Sequence, residues 1–188
     1  DRVEPHRVNG KIEPIYMAKE YLDLLAPLNC DDDGKGLELR ASDEALAQVR
    51  PHLEGEGPLV GIAPGAAFGP SKLWPAERYA AVADGLKKKI GARCVLLTGP
   101  GEEETRDAVI NDSGTRHIAV AFGVPVVCIM GPTSPKYSCG PYEKGEVLRV
   151  DVECGPCQQP VCSTDHRCMT RITTEWVIQT ALKFVFAR

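Results

Sequence analysis

Two stretches of this chain place groups that could hold an anion, and a third could meet sugar hydroxyls. In PGAAFGPSKLWP (64–75), Lys72 offers a compact positive charge suited to phosphate, and Ser71 offers a hydroxyl donor. Gly65 and Gly69 allow the backbone to approach a ligand closely. An ordinary strand-to-helix loop with a solvated lysine would look the same, and no Gly-Lys-Ser/Thr follows, so this is not a Walker loop. In NDSGTRHIAVAFGVPVVCIMGPTSP (111–135), Asp112, Ser113 and Gly114 stand where a helix begins. The amides of Ser113 to Arg116 can then converge on an anion with the helix dipole behind them, and His117 is one turn further in. The simpler role for Asp112 or Ser113 is that of a helix cap, which would leave some amides for a ligand. The third stretch is the acidic GEEE at 101–104. The dipole alone favours acids in a first helical turn, whereas a functional glutamate there would take ribose hydroxyls.

A fourth group is metal-like. Four of the eight cysteines, Cys154, Cys157, Cys162 and Cys168, form C-x2-C-x4-C-x5-C. Four thiolates could close a tetrahedral structural zinc site, although the second pair departs from ribbon spacing. Reduced structural thiols, or disulfides formed on handling, are the alternatives. Cys94 and Cys128 lie in apolar runs and are expected to be small buried hydrophobes, while Cys30 and Cys139 are scattered.

These groups need a scaffold, and the pattern around them is that of alternating strands and helices. Met17, Tyr21, Leu24, Leu25 and Leu28 follow helical spacing over 14–28, and a polar stretch at 29–36 breaks it. Ser42 is placed to cap a helix with Leu46, Val49 and Leu53 on one face. Strands are expected at 59–63, 93–98 and 124–130. A helix opened by Pro75 carries Tyr79, Val82, Leu86 and Ile90, and a last helix at 173–187 points Trp176, Val177, Ala181, Phe184 and Val185 inward. The fold class predicted is α/β, a Rossmann-like doubly wound parallel sheet. One join conflicts with it. The helix from near Glu102 runs through Ile110 directly into the helix at 113, where such a fold requires a return strand. A segment is expected to be missing between Ile110 and Asn111.

The 188 residues, 43% hydrophobic and 26% charged, describe a globular domain. A net charge of −4 gives no footprint for nucleic acid. No apolar run approaches the roughly 20 residues that span a bilayer, and the first residues lack a signal-peptide core, so a cytoplasmic location is expected. A chain that opens on Asp1 rather than Met is expected to have lost its natural start.

In order along the chain, PGAAFGPSKLWP, the strand ARCVLLTG with its acidic follow-up, NDSGTRHIAVAFGVPVVCIMGPTSP and CGPCQQPVCSTDHRCM resemble glycosyltransferase family 9, which holds the ADP-heptose:lipopolysaccharide heptosyltransferases. The first motif is similar to the family's PGA…G…K.WP pattern, the second to its DSG..H.A.A.G.P pattern. The resemblance implies the C-terminal, donor-binding half of a two-domain GT-B enzyme. Residues 1–36 would be the tail of the N-terminal domain and linker, and 37–188 the nucleotide-sugar domain. A helix and strand that the family carries before DSG would fall in the suspected gap.

By that resemblance Lys72 meets the donor pyrophosphate, and Asp112, Ser113, Gly114, Thr115 and His117 surround the diphosphate and sugar. Ala66 and Ala67 bring backbone to phosphate beside Ser71, and Glu104, with Glu103 as a weaker match, takes the ribose. Thr115-Arg116 departs from the apolar residues often found there. The implied reaction transfers heptose from ADP-heptose to the lipopolysaccharide inner core with inversion and no required cofactor. Its general base would lie in the N-terminal domain, and its setting would be the cytoplasmic face of the inner membrane, with peripheral association. A related enzyme using another nucleotide sugar, or a non-catalytic metal-stabilised interaction module, are the competing readings.

Overall fold

The computed structural model describes residues 7–9, 11–97 and 113–186. A short antiparallel pair, β1 (Arg7–Val8) and β2 (Lys11–Ile12), precedes helix α1 (Met17–Leu25) and a 3₁₀ turn at Ala26–Leu28. The apolar side chains of α1 that the spacing aligned, Met17, Tyr21, Leu24 and Leu25, are exposed. Helix α2 (Asp43–Val49) begins where expected, because the Ser42 hydroxyl accepts from the Ala45 amide at 3.2 Å. Its Leu46 and Val49 are likewise exposed.

The remaining elements are β3 (Leu59–Ile62), α3 (Ala76–Ile90), β4 (Arg93–Leu96), α4 (Gly114–Ala121), β5 (Val126–Ile129), α5 (Pro135–Ser138), β6 (Gly145–Leu148), α6 (Arg167–Thr170) and α7 (Thr174–Phe186). β3 pairs in parallel with β4, Leu59 opposite Arg93 through Ile62 opposite Leu96. β5 pairs in parallel with β6, Val126 opposite Gly145 through Ile129 opposite Leu148. Among the described residues the expected single sheet appears as two parallel pairs. β6 and the short helices α5 and α6 have no counterpart in the sequence reading, because four-residue elements among Gly, Pro and Cys leave little periodicity.

Strand alternation sorts the core into two layers. Val60, Ile62, Val127, Ile129 and Leu148 join the face covered by α3 and α7, where Tyr79, Val82, Leu86, Val177 and Ile178 are buried. Val126, Cys128 and Met130 join Val120 and Ala119 of α4 on the other. The face predicted for α3 is thus the buried one. In α7 the inward residues are Val177, Ile178 and Thr180, whereas Trp176 is exposed. Gly85 makes the α3–α7 approach possible, for a Cβ there would meet the Ile178 Cδ1 at 2.4 Å. Cys128 is buried as expected, but Cys94 is exposed. No helix among the described residues is long and apolar enough to cross a membrane.

Candidate functional site

At the carboxyl ends of β3 and β5 the loops diverge around a cleft of about 630 Å³, the size of a small-ligand site and the position such sheets use for ligands. One wall is the loop after β3, with Gly65, Ala67, Phe68 and Lys72. The floor is the start of α4, Ser113 to Thr115 with His117 and Ile118. The far wall comes from Thr133 and Ser134 after β5 and from Tyr137 and Ser138 of α5.

Lys72 ends a 3₁₀ turn at Pro70–Lys72, its Nζ 4.9 Å from the centre of the Phe68 ring. The turn is held from behind. The Ser71 amide donates to the Pro160 carbonyl at 3.0 Å, and its hydroxyl donates to the Gln159 carbonyl at 2.6 Å. His166 Nε2 donates to the Ser71 carbonyl at 2.6 Å, which requires the proton on that nitrogen. Below the loop, Trp74 Nε1 donates to the Ile172 carbonyl at 3.1 Å, and Arg78 Nη1 donates to the carbonyls of Thr170 and Ile172 at 2.6 and 2.7 Å. Trp74 also meets Tyr79 edge to face, with centroids 4.9 Å apart. Gly69 has φ +144°, and a Cβ there would lie 2.5 Å from the Pro160 carbonyl oxygen. The cysteine-rich segment is thus the brace of the Lys72 loop.

The α4 terminus is held differently. Ser113 is extended, with φ −138° and ψ 171°, and its side chain makes no cap hydrogen bond. Its buried hydroxyl oxygen has no partner among the described residues. The first-turn amides of Gly114 and Thr115 consequently keep the free donors that any helix start presents. Two residues on, Arg116 is fully buried. Its guanidinium donates to Ser138 Oγ at 3.1 Å, Cys139 Sγ at 2.8 Å and Glu143 Oε2 at 2.5 Å. Burial opposes its charge, but the thiols of Cys128 and Cys139 and the Glu143 carboxylate outweigh this and raise its pKa. The Ser138 hydrogen bond therefore ties α4 to α5, the floor to the far wall, and the ion pair ties α4 to the turn that follows α5.

Of the residues predicted to form the site, Ala67, Lys72, Ser113, Gly114, Thr115 and His117 line this one cleft. Ser71 does not; it is buried, and its hydroxyl is committed to Gln159, so it braces the loop instead of facing a ligand. Ala66 lies in the same loop, outside the lining. Asp112, Glu103 and Glu104 fall outside the described residues. The α5 wall was not anticipated, its only signal being the GPTSP turn; nor was Arg116, which the sequence marked only as a departure from pattern. Cys154, Cys157, Cys162 and Cys168 share a small cavity of about 30 Å³ with His166. No three His, Cys, Asp or Glu among the described residues are placed to hold a metal ion, so the predicted zinc geometry is not formed here. Backbone hydrogen bonds organise this segment, and its four cysteines form no disulfide.

The model of glycosyltransferase family 9 (heptosyltransferase) matches residues 11–111 and 106–167. The chain belongs to glycosyltransferase family 9. This family 9 chain is 32% identical over 132 residues to lipooligosaccharide heptosyltransferase 2 of Haemophilus influenzae, covering 52% of the chain and 38% of the relative. It is 32% identical over 149 residues to lipopolysaccharide heptosyltransferase 2 of Salmonella typhimurium, covering 61% and 42%. The chain thus spans about two fifths of the length of these curated relatives. The fold matches a family 9 glycosyl transferase from Veillonella parvula with a TM-score of 0.74 at 22% identity, over 99% of this chain and 63% of that one. It also matches E. coli ADP-heptose lps heptosyltransferase II with a TM-score of 0.63 at 23% identity, over 80% and 54%.

Proposed function

We infer that this domain binds the nucleoside-diphosphate end of a nucleotide sugar, as the donor half of an inverting, metal-independent heptosyltransferase. The observation that carries the reading is convergence. A lysine and an uncapped helix start with a buried, unpartnered serine hydroxyl face one cleft of ligand size. Both suit an anion, the lysine as a point charge and the helix through aligned amides. Heptose as the sugar transferred and lipopolysaccharide as the acceptor rest on what the relatives at 32% identity are named for, and ADP as the carrier and the inner core as the acceptor region rest on the family resemblance.

In this mechanism an acceptor hydroxyl attacks the anomeric carbon and the C–O bond to the diphosphate breaks, so that the departing ADP gains negative charge. Lys72 and the amides of Gly114 and Thr115 face that charge and lower the barrier as it develops. His117, one turn into α4, adds a donor on the sugar side. No residue described here is assigned as the base that takes the acceptor proton; the resemblance puts it in the N-terminal domain. The acceptor would set the location, the cytoplasmic face of the inner membrane.

Thermal unfolding with ADP, UDP, GDP and adenosine tests the reading. ADP is expected to raise the melting temperature more than UDP or GDP, and adenosine, lacking the diphosphate, to do little. Equal shifts for ADP and adenosine would remove the diphosphate from the account, and no shift with any nucleotide would remove the donor role.

A further inference from the structure

The cleft is chemically lopsided. On the β3 side, Lys72 is the one fixed charge in the lining among the described residues, and the start of α4 lies beside it. The opposite wall carries a hydroxyl, a phenol and an amide, and no charge: Ser134 and Tyr137 at the start of α5, and Gln158. An ionised diphosphate only accepts hydrogen bonds, and takes the strongest from cations and aligned amides. A sugar hydroxyl both donates and accepts, and so do the side chains of serine, tyrosine and glutamine. The two ends of the cleft therefore suit different parts of one ligand.

The far wall holds these groups in place. Ser134 is 8% exposed, yet its side chain makes no cap hydrogen bond to α5. Ser138, one turn on, is committed, since its Oγ accepts from Arg116 Nη1 at 3.1 Å. That bond ties the wall to the helix whose first amides would meet the anion. Tyr137 brings an apolar ring with a polar tip, and its amide donates to the Ser134 carbonyl at 3.2 Å. Gln158 has φ 55°, a left-handed conformation uncommon for a residue with a side chain. Its amide donates to the Pro132 carbonyl at 2.9 Å, while the next two residues, Gln159 and Pro160, accept from Ser71. Gln158 thus stands where the Lys72 loop and the loop before α5 are joined.

Strand order indicates which part of a nucleotide sugar belongs there. In doubly wound nucleotide sites the ribose is taken at the end of the strand that follows the phosphate-loop helix. Here that strand is β4, which pairs with β3, whereas α5 follows β5 in the other pair. With the nucleoside on the β4 side and the diphosphate between Lys72 and α4, the α5 wall is left to the sugar.

We propose that Ser134, Tyr137 and Gln158 form the subsite for the donor's sugar, and set which neutral, polyhydroxylated group is accepted next to the diphosphate. The proposal rests on the donor reading above.

Isothermal calorimetry of the full chain with ADP and with ADP-heptose tests it. Ser134→Ala, Tyr137→Phe and Gln158→Ala are each expected to weaken ADP-heptose binding about three- to tenfold, the worth of one lost hydrogen bond, and to leave ADP binding within about twofold. Lys72→Ala is expected to weaken both ligands alike. Tyr137→Phe removes one oxygen and keeps the ring, so it decides the matter should Ser134→Ala, in its buried place, fail to fold. Equal losses for the two ligands in the far-wall variants, or no loss for either, would overturn the subsite, and a loss of ADP binding in Lys72→Ala would still uphold the donor reading. A wild-type chain that binds no ADP would overturn the donor reading and the subsite together.

Discussion

The two halves of the cleft do the same job with different supports. The Lys72 loop is fastened by several separate donors, the Ser71 amide and hydroxyl and the His166, Trp74 and Arg78 side chains, each to a backbone carbonyl. The α4 terminus is fastened to α5 and the turn after it through one buried side chain, Arg116, which reaches Ser138 and its carboxylate partner Glu143. A support spread over several independent donors tolerates loss of any single side chain. A support built on a buried charge does not, because removing one partner strands the other in a poorly solvated place.

The largest effect should come from breaking the concentrated support. Arg116→Met is expected to cost about 3–5 kcal/mol in urea unfolding, as for other broken buried ion pairs. Adding Glu143→Gln should recover part of it, because the stranded charge is then gone. A cost under about 1 kcal/mol would place the pair among exposed, weak bridges and erase the contrast. On the distributed side, the sensitive point is backbone shape. Gly69→Ala forces a side chain into a positive-φ position against the Pro160 carbonyl and should cost about 1–3 kcal/mol. Wild-type stability in that variant would mean that the brace is looser than its hydrogen bonds imply.

The smallest effect concerns the thiols of the brace. A hydrogen bond with Thr164 holds the Cys162 thiol below its usual range, whereas burial first, and then the neighbouring cysteines, push Cys168 up. A lowered pKa means more thiolate at a given pH, so iodoacetamide at neutral pH should label Cys162 before Cys168 by mass spectrometry. Equal rates would point to a shared ligand or bond among the four thiols, beyond what the backbone brace supplies.

Most of the cleft was legible because its chemistry is local. Gly, Lys and a helix start announce an anion site in a short window, and the buried face of α3 follows from spacing alone. What escaped depends on distant partners. Ser71 looks like a phosphate donor until Gln159, 88 residues away, claims its hydroxyl. Arg116 looks like a surface residue until Ser138, Cys139 and Glu143 gather around it. The cysteine spacing suggested metal, but the segment's role in the fold is carried by backbone carbonyls, which sequence composition does not reveal. The conflict at Ile110–Asn111 was visible as a broken alternation of strand and helix, and it lies outside the described residues, among which the sheet appears as two strand pairs.

The central claim is that Lys72 and the α4 terminus hold a diphosphate together. Isothermal calorimetry with ADP on the wild type and Lys72→Ala tests it most directly. The account predicts that Lys72→Ala weakens ADP binding by about ten- to a hundredfold, the worth of one charge-assisted contact, with the melting temperature unchanged. Unchanged affinity for ADP in a folded Lys72→Ala protein would contradict it.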